Sequence, residues 1–165
     1  MTIKDIILSE VKNETANTKR LLERIQNEHL SWKPHEKSMS VGQLAAHVVE
    51  LHGWVAYVLE KDKFDFHTDY QRITVESVDQ LNGILDAGLE KNLQVFAAQE
   101  DVDWSREWIL AAGDTVISKN SKMNAIRYIV QNHLVHHRGQ LTVYLRLLNV
   151  PVPGLYGPSA DDAKA

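Results

Sequence analysis

"IRYIVQNHLVHHRGQLTVYLRLL", residues Ile126 to Leu148, carries the apolar recurrence of a packed helix and interrupts it with three histidines. Ile126, Val130, His133, His137, Leu141, Tyr144 and Leu148 follow one another at spacings of three and four, a single stripe on a 3.6-residue helix. Two imidazoles therefore occupy positions that the stripe otherwise fills with hydrocarbon. Ser121 is placed to open this helix, and Pro151 and Pro153 in "VPVPGLYGPSADDAKA" end it.

Three further segments show the same period. Ile3, Ile7, Val11, Thr15, Thr18, Leu22 and Ile25 predict a first helix ending near Leu30, before "SWKPHEKSMS". Ser40 followed by Gln43 reads as a capping box, opening a second helix from Val41 to Leu59 with Leu44, Val48, Leu51, Val55 and Leu59 inward. His47 lies on that stripe. In "VESVDQLNGILDAGLEKNLQVFAAQ" the residues Val78, Leu81, Leu85, Leu89 and Phe96 predict a third helix, which Gly83 and Gly88 weaken by about 1 kcal/mol each.

"DVDWSREWILAAGDTVISKN" holds two short apolar runs about Ala112, Gly113 and Asp114, a short irregular or hairpin excursion before the last helix. Four amphipathic segments with little strand signal predict an all-α fold, a four-helix bundle in one domain over residues 1–165. The long second and third connections leave the helix order open.

With 18 Lys and Arg against 22 Asp and Glu, the net charge of -4 gives no basic field for nucleic acid. The chain has no cysteine, which removes disulfides, thiolate ligands and a protein-borne thiol nucleophile together. "MTIKDIILSEVKNETANTKR" lacks the apolar run of a signal peptide, and nothing approaches the roughly 20 apolar residues of a membrane span. A soluble cytoplasmic protein is expected.

His133 and His137, four residues apart, leave one face of a helix about one turn from each other and can reach a single ion. A lone core histidine is usually a hydrogen-bonded spacer. A pair on an apolar face, with His47 on the stripe of a second helix, favours a divalent metal instead, because coordination offsets the cost of burying imidazoles. Three neutral ligands leave the ion's charge intact and a position open.

The remaining residues receive plainer readings. His136 falls on the flank of the stripe and His52 off the face of His47; His29, His35 and His67 lie in or beside loops, His67 near a pocket entrance. Trp32, Trp54, Trp104 and Trp108 are core aromatics before they are walls of a cleft. Arg138 and Arg127 are placed to bind an anionic group, with surface solvation favoured for Arg127. Gly139 in mid-helix calls for the close approach of a neighbouring helix or a second subunit. No phosphate loop or nucleophile elbow is present in the sequence.

His47 with Trp54 two turns later, "HLVHHRGQ" from His133 to Gln140, and "YGPSADD" from Tyr156 to Asp162 together resemble the DinB-like (YfiT-like) family of metal-dependent enzymes, distinct from the DNA polymerase that shares the name. The resemblance implies a bundle with a non-sequential helix order, a homodimer, and a divalent ion, zinc or nickel foremost, on His47, His133 and His137. It also implies transfer or isomerisation with a low-molecular-weight thiol such as bacillithiol, mycothiol or glutathione.

The leading expectation is a thiol S-transferase acting on an electrophilic small molecule. A metal-dependent hydrolase of an ester or amide, with Glu50 as general base, is the first alternative. A non-catalytic metal- or ligand-binding dimer of the stress response is the second, and it would show a fourth protein ligand such as His136 or His52.

Overall fold

Thr2 opens the first helix: its hydroxyl accepts from the Asp5 N–H at 3.1 Å while the Asp5 carboxylate accepts from the Thr2 N–H at 2.8 Å. The computed structural model describes residues 1–99 and 101–162, so position 100 and the last three residues of the expected domain lie outside it. Helix α1 runs Ile3–Leu22 and stops short of the expected Leu30. The chain beyond it has another task. It turns through Asn27–His29, and the carbonyls of Leu30 and Trp32 accept from Gly42 at 2.9 Å and Val41 at 2.8 Å. These N–H groups belong to the first turn of α2, Val41–Glu60, and would otherwise be orphans. Ser40 and Gln43 form the predicted capping box at the same end.

Helix α3, Val78–Ala98, is capped by Ser77. The excursion before the last helix is a hairpin, β2 (Glu107–Ala112) and β3 (Thr115–Ser121), turning at Gly113 with φ +60°. A further strand, β1 (Lys63–Asp65), joins it in parallel to β2, giving the order β1-β2-β3. The fold is thus mostly helical with a small sheet, and the all-α expectation is corrected. "KFD" is too short to show a period of two, and its partners lie more than forty residues onward. Phe64 on β1 is buried against Trp54 of α2, with ring centroids 4.7 Å apart, so the strand also closes the core.

The last rod is continuous but not uniform: one turn of α-helix, α4 (Lys122–Asn124), a π-helical stretch Ala125–Gln131, and then α5 (Asn132–Leu147). A π turn takes in an extra residue and rotates the later residues about the helix axis. The buried line accordingly runs Ile126, Val130, Leu134, Arg138, Leu141, Leu145, one residue off the predicted stripe at His133 and His137. The two histidines are carried to the half-buried edge of the rod, His137 facing a cleft.

Two apolar clusters fill the bundle, one about Trp54, Phe96 and Trp108, the other about Leu22, Leu44, Leu81 and Leu141. A polar layer with His52, Asn92 and Arg138 accompanies them. Asn92, fully buried on α3, donates to the His52 carbonyl at 2.7 Å and accepts from the Ala56 N–H at 2.9 Å, inserting its amide beside the hydrogen-bond ladder of α2. Here Gly88 meets the backbone of Gly53, where an added Cβ would lie 3.4 Å away, which accounts for one of the two helix-weakening glycines; Gly83 faces open space. Among the described residues no helix is long and apolar enough to cross a membrane.

Replacing Asn92 by Leu leaves a buried carbonyl and N–H without their side-chain partner. Urea unfolding should show a loss of about 1–3 kcal/mol, and an unchanged midpoint would mean that the insertion contributes nothing.

Candidate metal centre

His47 projects from the second turn of α2 toward α5, where His133 and His137 stand one turn apart. One nitrogen from each ring lies within 4.8 Å of the others. The Nε2 atoms of His47 and His133 are 3.4 Å apart and those of His133 and His137 are 2.8 Å apart. The three side chains thus meet at one point at the edge of the bundle, each half-buried.

The opposite side of each ring is also engaged. Nδ1 of His47 faces the Glu50 carboxylate at 3.3 Å, and Nδ1 of His137 faces the Gln140 side-chain oxygen at 2.8 Å. The His133 ring hydrogen-bonds the backbone at Ile129. A carboxylate or amide oxygen can only accept, so it holds the proton on Nδ1 and leaves Nε2 as a bare lone pair. Burial, and then the charges of His137 and His47, push the His133 imidazole down to about 4; burial lowers His137 as well. Rings oriented from behind with Nε2 lone pairs convergent are what a divalent ion requires of its histidines.

Both side-chain orienters stand three residues after the histidine they hold, Glu50 after His47 and Gln140 after His137. That repeated spacing is legible in the sequence, and it is the signal that the stripe-based reading of the histidines passes over. Glu50 is neither a solvated surface carboxylate nor a free base. It is buried, with one oxygen shared between His47 and the Tyr70 hydroxyl at 3.4 Å and the other accepting from the Ile73 N–H at 2.9 Å. Tyr70 and Arg72, on the segment after β1, line the cleft beside His47 and His137. Nothing in their sequence surroundings singles them out, because they reach the site only through the tertiary fold.

Other expectations change. His136 stays exposed outside the cluster, with its ring 4.9 Å from that of His137. His52 is buried elsewhere: its Nε2 meets the Thr18 hydroxyl at 2.8 Å and its Nδ1 the Thr15 hydroxyl at 3.2 Å. Thr15 donates to the Val11 carbonyl, and Thr18 accepts from Arg138, so the chain of donors makes His52 neutral with its proton on Nδ1. Arg138 offers nothing to a substrate. It is buried and paired with the Glu14 carboxylate and the Tyr156 hydroxyl, tying the C-terminal tail to α1. Arg127 pairs with Glu10. His67 packs against Gly113, away from the cleft, and Gly139 has no neighbour that would crowd a Cβ.

Fold and site together define a helical-bundle protein with a three-histidine cluster that could hold a metal ion. Residues 2–164 match the DinB family, and the chain belongs to that family. It is 28% identical over 131 residues to YjoA of Bacillus subtilis (strain 168), covering 78% of this chain and 80% of YjoA. It is 23% identical over 158 residues to YrdA of the same organism, covering 96% and 90%. Among solved structures, a DinB-like protein of Bacillus cereus ATCC 10987 superposes with TM-score 0.69 at 20% identity, covering 91% of this chain and 95% of that one. The YjoA structure superposes with TM-score 0.66 at 23% identity, covering 88% and 96%, and supports the same fold.

Burial, then the Arg138 charge, depresses the His52 imidazole from 6.5 to about 3. Between those values the unfolded chain takes up a proton that the native state refuses, so the stabilisation is full above pH 6.5 and is lost as pH falls toward 3. Unfolding free energies from urea titrations between pH 7 and pH 4 should fall less steeply for His52→Leu than for wild type, by up to about 1.4 kcal/mol per pH unit. Parallel slopes would place His52 in a solvated environment.

Glu50→Ala removes the group behind His47. Competition with a chelator should show zinc affinity reduced about 10- to 100-fold with the fold intact; undiminished affinity would deny Glu50 its orienting part.

Proposed function

We propose that the protein is a metal-dependent S-transferase that joins a low-molecular-weight thiol to an electrophilic small molecule, with a divalent ion, zinc or nickel, on His47, His133 and His137. The observation that carries this reading is the convergence of three Nε2 atoms whose rings are engaged from behind by Glu50, Gln140 and the Ile129 backbone. A divalent ion held there supplies a Lewis acid that lowers the pKa of a thiol or water entering its open position.

The chain's own residues do the rest. Glu50 and Gln140 fix the tautomers of His47 and His137, and the Tyr70 hydroxyl and Arg72 guanidinium border the cleft through which substrate arrives. With no cysteine in the chain, the thiol comes from outside, and a cytoplasmic setting keeps such thiols reduced. Ester or amide hydrolysis uses the same ion, but the base expected for it, Glu50, has both oxygens engaged.

The non-catalytic alternative expects a fourth protein ligand; the cluster among the described residues comprises three. A homodimer fits the outer face of α5, where Val135, Val143 and Leu147 are exposed along one side with Gly139 among them.

Protein purified without an affinity tag and loaded with zinc or nickel should conjugate glutathione or bacillithiol to 1-chloro-2,4-dinitrobenzene. His137→Ala should slow this by at least about tenfold. Equal rates would remove the transferase reading, and ester hydrolysis without added thiol would favour the hydrolase.

A further inference from the structure

The hollow beside His47 and His137 is small, about 180 Å³, room for about six waters. It accommodates a reacting group and little more. Next to it, between α2, α3 and the segment from Phe64 to Ile73, lies a cavity of about 730 Å³, within the range of small-molecule sites. Its walls include Trp54, Phe64 and Ile84, and at Gly53, where an added Cβ would meet nothing within 4 Å, α2 presents no side chain to narrow it. The two hollows share Glu50, Tyr70 and Ile73, so an occupant of the larger one lies one side chain away from the histidines.

Charge is distributed unevenly about this pair of spaces. In the large cavity Lys91 is paired with Glu60 at 2.6 Å, and Lys61 beside it is paired with Asp69 at 2.8 Å. At the histidine end, Arg72 forms no ion pair among the described residues and lies on the exposed side of the cleft, next to the Tyr70 hydroxyl. The two arginines that the sequence offers for anion binding, Arg127 and Arg138, are each neutralised by a glutamate. Arg72 is therefore the cation available to a ligand at this site, and its planar fork suits a carboxylate.

We infer that the site takes an amphiphilic small molecule, an aromatic or aliphatic body seated in the large cavity and a single carboxylate paired with Arg72. The inference rests on the proposed transferase for calling this molecule the acceptor substrate, but the binding itself needs no metal.

The test uses chelator-treated full-length protein, so that no ion competes for the carboxylate, with 2-naphthoate and its neutral amide as probes and calorimetry with Trp fluorescence as readouts. Both should bind saturably, 2-naphthoate about tenfold more tightly, the worth of a charge-assisted contact. Arg72→Gln should erase that preference and leave the amide's affinity as it was. Ala87→Trp, at an exposed position on the cavity wall, should weaken both probes at an unchanged melting temperature.

Failure of both probes to saturate, equal affinity for acid and amide in wild type, or binding indifferent to Ala87→Trp would each overturn the inference. Because metal is absent throughout, these outcomes are separate from a failure of thiol conjugation in the loaded protein, which would leave the binding site standing and remove only its name as an acceptor site.

Discussion

Three imidazole lone pairs aimed at one point repel one another unless a positive charge stands between them, and much of this molecule is arranged to aim them there. The rings cannot relieve the repulsion by changing tautomer at the two positions where Glu50 and Gln140 accept from Nδ1. Burial also holds the His133 and His137 imidazoles below the ordinary value. A cation held between the rings would relieve the repulsion, and the cluster could hold a metal ion. The site is therefore a property of packing as much as of residue type, and each histidine depends on a neighbour that is not itself a ligand.

Holding His47 against His133 and His137 means holding α2 against α5, and the polar layer contributes to this from within. Arg138 comes directly after His137 and reaches across to Thr18 and the Glu14 carbonyl on α1 at 3.0 and 2.9 Å. Thr18 in turn meets His52 on α2. Three helices are joined by one run of hydrogen bonds beneath the three-histidine cluster. A buried arginine with a glutamate partner adds little net stability compared with hydrocarbon, but removing either partner alone is costly, so such a layer restricts how the helices can be placed. Tyr156 closes it from the C-terminal tail, and burial pushes its phenol up to about 12, keeping it a donor to Glu14.

Much of this is readable in the chain, and the failures have physical causes. The capping box at Ser40, the opening of the last rod at Ser121 and the pairing of His133 with His137 one helical turn apart depend on local spacing, which a sequence displays. Strand β1 and the placement of Tyr70 and Arg72 beside His137 depend on partners far along the chain. The π stretch before His133 falls between these cases. It shifts the buried line by one residue, so that Arg138 goes inward and His137 to the cleft, and a reading that assumes 3.6 residues per turn cannot anticipate it. The assignment of Arg138 to a substrate fails for that reason.

X-ray absorption at the zinc edge, on tag-free protein carrying one equivalent of zinc, tests the central claim most directly. The account predicts the multiple-scattering pattern of three imidazoles per ion, with nitrogen at about 2.0–2.1 Å. A spectrum with one imidazole or none, or one dominated by carboxylate oxygen, would mean that these rings meet for some purpose other than holding a metal.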